Sequence, residues 1–500
     1  MTETPVTSDT TRPQPASQPA PLAPPCAGLG VALVAVLVIF VGVAGVRSAF
    51  WGLVNRQLSE INICDGLAAE PHFADESAMI AQSYYWTLFK TGQRNHPDWL
   101  HYAAYDHPPL PKYMFGLFLD LAGLPTPTSI VPWMNWMRGD FSPPSDPRVL
   151  FWARVPSALF GIGGVVAAYF IGLQLHTRLT GVMAALLLLA NPLYLTHARR
   201  AMSDSFTECL FIAAVAVALW GSKEVWRPRI RRGSWMVFIS AESLLCGLAA
   251  LAKLNGGVAT VIVMSVLLGN WLLALTAHEG LAELSWLRSP RRMSIPPLAA
   301  LAIGMGSFLV FVALNPFLTA RPESATLASR SRSLAEMGVL ARARYLVEFR
   351  RDWARDALNN KIFEKDWLKT NRERLRMTLW EGFGRFSPLG PRDIRTVEPR
   401  PESESFIEYR RWSSLVWMPL VLWGFLLTLT DGWRQWREGY APLAWCLLLY
   451  VAATMAIVVF MIPLNWDRYY LPIQAPAALL VSYGITRIWG RVPSRTVPRG

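Results

Sequence analysis

Two short motifs hold the residues best suited to chemistry in this sequence of 500 residues. One is the acidic pair Asp75-Glu76; the other is Asp106-His107-Pro108-Pro109-Leu110-Pro111-Lys112, about 30 residues further on. Carboxylates and imidazole can take a proton from a reacting group or hold a cation. The two prolines fix the backbone and present Asp106 and His107 outside a competing helix. Adjacent acids also suit a helix start, where the macrodipole favours them, and Ser77–Phe89 has helical apolar spacing through Met79, Ile80, Tyr84 and Leu88. A second group is basic: Arg154, Arg199, Arg200, Lys253 and Arg468 lie at the ends of apolar runs, with His197 beside them. A charge left in hydrocarbon costs on the order of 2.5–3.5 kcal/mol, so such residues line a cavity or find a partner.

The elements that must position these residues are membrane helices. Hydrophobic residues make up 52% of the chain and charged residues 17%, too few charges for the surface of a soluble protein of this length. The apolar residues gather in runs of roughly 17–25, enough to cross a bilayer as helix. Spans are expected at 28–52, 149–175, 180–196, 205–221, 235–253, 256–275, 296–318, 414–430, 441–463 and 468–489, about ten and up to twelve in all. Tyr113–Leu124 is too short to cross and reads as an interfacial or re-entrant helix. The expected organisation is a disordered cytoplasmic tail (1–27), an N-terminal membrane core (28–318) with a first outer loop (53–148), an outer loop or small domain (319–413), C-terminal membrane helices (414–489) and a cytoplasmic tail (490–500).

The excess of 48 basic over 35 acidic residues is mostly a topology signal, and nucleic acid is not an expected partner. Lys223, Arg227, Arg229, Arg231, Arg232, Arg288, Arg291, Arg292, Arg434 and Arg437 crowd short loops on the side of both termini, which the positive-inside rule makes cytoplasmic. The first outer loop, by contrast, carries ten acidic and six basic residues. The chemical candidates then share the outer face of a multi-pass cell-membrane protein. The five cysteines show neither metal spacing nor pairing, and three lie within apolar runs as small hydrophobes.

In these features the chain resembles the protein O-mannosyltransferase-like glycosyltransferases, family 39 and its bacterial relatives, the lipid A aminoarabinose transferases. The matching elements are Asp75-Glu76, His107-Pro108-Pro109-Leu110 with Lys112, Ala153–Leu159 around Arg154, Ala198–Asp204, Gly247–Lys253, and Arg468-Tyr469-Tyr470-Leu471-Pro472. The oligosaccharyltransferase signature WWDYG is absent. The resemblance implies an all-α polytopic membrane protein of the glycosyltransferase C-type fold. Its active site would lie at the extracytoplasmic face and take sugar from a polyprenyl-phosphate carrier to a protein, lipid or polysaccharide acceptor. Asp75 then stands as the base, as the family's first-loop Asp, with Glu76 beside it. Glu76 or Asp106 would orient the acceptor or hold a divalent cation. His107, Lys112, Arg154, Arg199, Arg200, Lys253 and Arg468 are candidates for substrate and phosphate, because Arg and Lys suit that anion.

A metal ion is a secondary expectation, with Asp106, His107 and His197 as ligands, against the favoured alternative that Asp106 pairs with a nearby Arg. In the aminoarabinose transferases an acid before Pro-Pro-Leu lies near a metal, but His107 departs from their usual Lys and leaves the donor sugar unassigned. Loop 319–413 holds 20 basic and 14 acidic residues with apolar positions at helical spacing (Leu334, Met337, Leu340, Leu346). That pattern predicts amphipathic helices on the outer leaflet, or a small domain over the site. Two other classes compete: a transporter or flippase of lipid-linked sugars, and a non-catalytic membrane scaffold. A transporter would place charges near the midplane and show internal repeats. Neither is evident in the sequence.

Overall fold

The computed structural model describes residues 72–226, 232–276, 290–323, 327–357, 359, 367–386, 404–461 and 464–489. Among them every regular element is helical, and the one β-type pairing is an isolated bridge between Trp367 and Leu464. Seven helices are long and apolar enough to cross a membrane, or eight if a bent pair counts as one span. The expected first span (28–52) and both tails lie outside the described residues.

The first described elements are α1 (Ala74–Ala81) and, further on, the short helix α2 (Leu110–Leu121), both ahead of the first long apolar helix. The helical stretch expected over Ser77–Phe89 divides at Gln82-Ser83 into α1 and a further helix, Tyr84–Lys90. The long helix α3 (Pro147–Leu175) opens with Asp146, whose carboxylate accepts the Arg148 N–H, and Pro147 in the first turn, where a missing N–H costs nothing. Next come α4 (Arg178–Leu189) and α5 (Pro192–Arg199). The sequence predicts one span here, but the two helices bend by 66° at their junction. The cause is Asn191-Pro192: proline cannot continue the helix and holds Asn191 extended. Asn191 caps α5 by accepting the Tyr194 N–H at 2.8 Å.

The remaining spans are α6 (Asp204–Val225), α7 (Arg232–Ala252), α8 (Val258–Thr276) and α9 (Pro290–Ala313). The segment after α9 contributes α10 (Val339–Ala357), and the C-terminal part α11 (Glu404–Arg437), α12 (Leu443–Ala456) and α13 (Gln474–Trp489). The expected last span begins instead as a tight helical turn, Asp467–Ile473, so α13 has 16 residues. It is nonetheless buried along Ala475–Val481 and Tyr483. Small residues let the helices close: a Cβ on Gly172 of α3 would meet Gly181 of α4 at 2.7 Å. Cys209, Cys246 and Cys446 are free thiols, and the latter two are buried.

Over 319–413 the described residues are largely helical, as their spacing predicts, with non-helical stretches at 320–323 and 367–370. Leu334 and Leu346 are buried, but Leu340 is 73% exposed. The segment is held by Arg342, which is fully buried and donates to the carbonyls of Phe317, Ala320, Leu334 and Ala335. Tyr345 and Phe349 of α10 pack on Tyr105, in the segment between α1 and α2, and Phe349 also on Tyr102.

Candidate active site

One turn of α1 carries both acids, and the structure gives them different surroundings. Glu76 is fully buried. Its Oε1 accepts Arg154 Nε and the Ala201 N–H, each at 2.8 Å. Its Oε2 accepts Arg154 Nη2 at 2.7 Å and the Phe73 N–H at 3.0 Å, which satisfies a free backbone donor at the start of α1. A carboxylate with four such donors is saturated. Glu76 therefore joins α1 to α3 and to the segment after α5, with no lone pair left open.

Asp75 points to a different arginine. Its Oδ2 accepts Arg468 Nη1 at 2.7 Å, and the two side chains are 30% and 19% exposed. The Arg468 guanidinium also lies over the rings of Trp466 (4.7 Å) and Tyr469 (5.5 Å), which stack on each other at 11°. Asp204, at the first turn of α6, accepts Lys253 Nζ at 2.8 Å just beyond the end of α7. His197 is buried on α5, within electrostatic reach of Asp204, Arg200, Asp467 and Arg468. Arg200 is buried with its guanidinium 4.8 Å from the Phe73 ring, and Arg199 is fully buried. The structure thus brings Asp75, His197, Arg200, Asp204, Lys253 and Arg468 into one polar cluster, where α6 starts and α5 and α7 end. Burial lowers the pKa of His72, which hydrogen-bonds Ser77 Oγ at 2.9 Å at the edge of this cluster.

The Asp106 motif forms a second centre. Asp106 bonds His107 Nδ1 at 3.0 Å and faces Arg350 of α10 at 3.4 Å. Burial alone would raise the Asp106 carboxyl, but His107, Arg350 and Lys112 outweigh it and hold the group well below the usual carboxylate range. Burial pushes His107 down, against the pull of Asp106. Lys112, expected to meet phosphate, is instead fully buried under Tyr85. It donates to the carbonyls of Ala103 and Ala104 at 2.6 and 2.8 Å. Burial pushes its pKa down to about 7 despite Asp106. Its role is to close the end of the short helix before His107.

The expected metal ligands do not fit a cation. Asp106 gives its oxygens to His107 and Arg350, and His197 faces the cluster around Asp204. Among the described residues no three His, Cys, Asp or Glu side chains gather as a set that could hold a metal ion.

A third group escaped sequence reasoning. Asp467 receives two buried arginines, Arg385 and Arg410, the latter at 3.2 Å. Arg385 also stacks over Tyr470 at 4.5 Å. Its backbone carbonyl takes a hydrogen bond from Asn191 Nδ2 at 3.3 Å, and that same amide donates to Gln474 at 3.0 Å. This group fixes the residue next to Arg468. Its only sequence signal was Asp467 itself, a charge at the mouth of an apolar run; the arginines lie 57 and 82 residues away.

Residues 101–305 match the family model described as dolichyl-phosphate-mannose-protein mannosyltransferase, which bears out the resemblance to the protein O-mannosyltransferase-like glycosyltransferases. No curated protein matches the chain. Among solved structures, it is similar to ArnT from Cupriavidus metallidurans bound to undecaprenyl phosphate, with 15% identity and a TM-score of 0.45, over 94% of this chain and 62% of that one. It is also similar to the oligosaccharyltransferase AglB from Archaeoglobus fulgidus in complex with an inhibitory peptide and a dolichol-phosphate. There the identity is 12% and the TM-score 0.42, over 89% of this chain and 51% of that one. The chain therefore spans between half and two thirds of the length of these structures.

Proposed function

We propose that this chain is an integral-membrane glycosyltransferase of the C-type fold, moving a sugar from a polyprenyl-phosphate carrier to an acceptor hydroxyl at the extracytoplasmic face. The observation that carries the reading is the Asp75–Arg468 pair. A partly exposed carboxylate and a mostly buried arginine stand 2.7 Å apart in a cluster rich in cations, in a chain whose residues 101–305 match the mannosyltransferase model.

The chemistry follows from those two groups. Asp75 takes the proton of the acceptor hydroxyl as its oxygen bonds the anomeric carbon. The bond from that carbon to the phosphate oxygen breaks, and its electron pair leaves with the phosphate. Arg468 stabilises the developing charge, with Lys253 and Arg200 adding positive potential. An ionised phosphate is a stable leaving group, so no strong acid is needed. Attack opposite the leaving group in one displacement inverts the anomeric centre. Donor sugar and acceptor class stay open to a panel test.

That test incubates purified protein with polyprenyl-phosphate sugars and candidate acceptors, reading the glycosylated product by mass spectrometry. Asp75→Asn should lower turnover by about 10²–10⁴-fold while donor binding persists. Unchanged turnover in that variant would remove Asp75 from the mechanism. A transporter reading finds less support, because the described cluster gathers at one end of the spans instead of at their middle.

A further inference from the structure

Every cation of the described cluster that a donor phosphate would need is already engaged. Arg154 is held by Glu76, Lys253 by Asp204, Arg385 and Arg410 by Asp467, and Arg200 lies on the Phe73 ring. Lys112 is bound to carbonyls and Arg350 faces Asp106. A phosphate must therefore exchange with something. Exposure separates the pairs. Glu76–Arg154 is sealed at 0% and 1%, and Asp204 is 5% exposed opposite Lys253 at 27%. Asp106 is 14% exposed opposite Arg350 at 26%, whereas Asp75 is the most exposed carboxylate of these pairs, at 30%, opposite Arg468 at 19%.

The two partners of that open pair also differ in freedom. Arg468 has a fixed seat: Trp466 and Tyr469 support its guanidinium, and Asp467 beside it is clamped by Arg385 and Arg410. On α1, the neighbouring Glu76 pins the helix, but the only side-chain hydrogen bond of Asp75 within the described residues is the one to Arg468. In an exchange the arginine stays and the carboxylate leaves.

We propose that the Asp75–Arg468 pair is a donor-operated latch: the lipid-linked phosphate takes over Arg468, and its arrival releases Asp75 to act on the acceptor. The inference rests on the transferase reading and adds an order to it, with donor before acceptor. Before the donor arrives, the base is occupied by its own arginine and is a poor acceptor for a hydroxyl proton.

The test uses the full-length protein in detergent and two side-chain reagents at one fixed pH. A carbodiimide with an amine nucleophile reads Asp75, and phenylglyoxal reads Arg468, both quantified by peptide mass spectrometry. Undecaprenyl phosphate is the probe and undecaprenol its uncharged control. The latch predicts opposite changes with the phosphate: Arg468 labelling falls several-fold while Asp75 labelling rises several-fold, and undecaprenol does neither. Arg468→Gln should show high Asp75 labelling without lipid and no further response. A fall at both residues means the lipid merely covers the site and overturns the latch, as does an Asp75 signal that ignores Arg468→Gln. If undecaprenyl phosphate fails to protect Arg468 at all, the transferase reading itself falls.

Discussion

Asp75 and Glu76 share one helical turn, and each meets an arginine at 2.7 Å, but the two ion pairs are built for different ends. Glu76 and Arg154 are joined by two parallel bonds, sealed from solvent, with backbone donors from Phe73 and Ala201 filling the remaining lone pairs. Asp75 and Arg468 are joined by one bond and stay partly open. Burial makes the first pair costly to break, because an uncompensated charge would be left without water. Exposure makes the second cheap to exchange. Chemistry needs a group that changes partners, and only the open pair can do so. Two residues of one type, 100° apart on a helix, thus divide into a fixture and a tool.

Substitutions can widen or collapse that contrast. The largest effect on folding is expected at the sealed pair. Arg154→Met leaves a buried carboxylate uncompensated and should cost about 3–5 kcal/mol, read as a lower unfolding temperature and reduced yield in detergent. A near-normal melting curve would mean the pair is not sealed. Arg468→Gln should reverse the balance. It should cost less stability than Arg154→Met but lower turnover on the order of 10²-fold, through loss of a charge at the leaving phosphate. Equal stability losses in the two variants would erase the distinction.

Smaller effects are expected at the second centre. Asp106→Asn removes the charge facing Arg350 and should loosen α10, read as faster limited proteolysis within 339–357, with the membrane helices protected. The last is a pH slope. Folded Lys112 holds its proton less tightly than the unfolded chain does, with a pKa of about 7 set mainly by burial. Stability from this group therefore rises with pH between about 7 and the unfolded value near 10.4. Lys112→Met should flatten that slope in thermal unfolding from pH 7 to 9; a slope unchanged by the substitution would place the titration elsewhere.

The spans were legible because apolar runs of bilayer length state their own purpose. The 66° bend was not read, although Asn191-Pro192 is a local breaker inside the run and its signal was available. In the site, sequence recovered the residue types but not their depth. Asp75 and Glu76 look alike in a string of letters, and only the distance to Arg154 and Ala201 separates them. Lys112 sits in a motif that suggests phosphate, yet its side chain turns under Tyr85, which no spacing encodes. Arg385 and Arg410 meet Asp467 across 82 and 57 residues, a pairing that one sequence cannot reveal.

Those separations also set a timetable for biogenesis. Glu76 waits 78 residues for Arg154 and 125 for the Ala201 amide, so its anchor can form once the first helices are in place. Asp75 waits 393 residues for Arg468, nearly the whole chain. Synthesis runs from the N-terminus, so a nascent chain completes its scaffold early and carries an unpaired Asp75 until the last helix is delivered. A ribosome that stalls before residue 468 therefore leaves a membrane protein with its framework closed and its reactive centre unfinished.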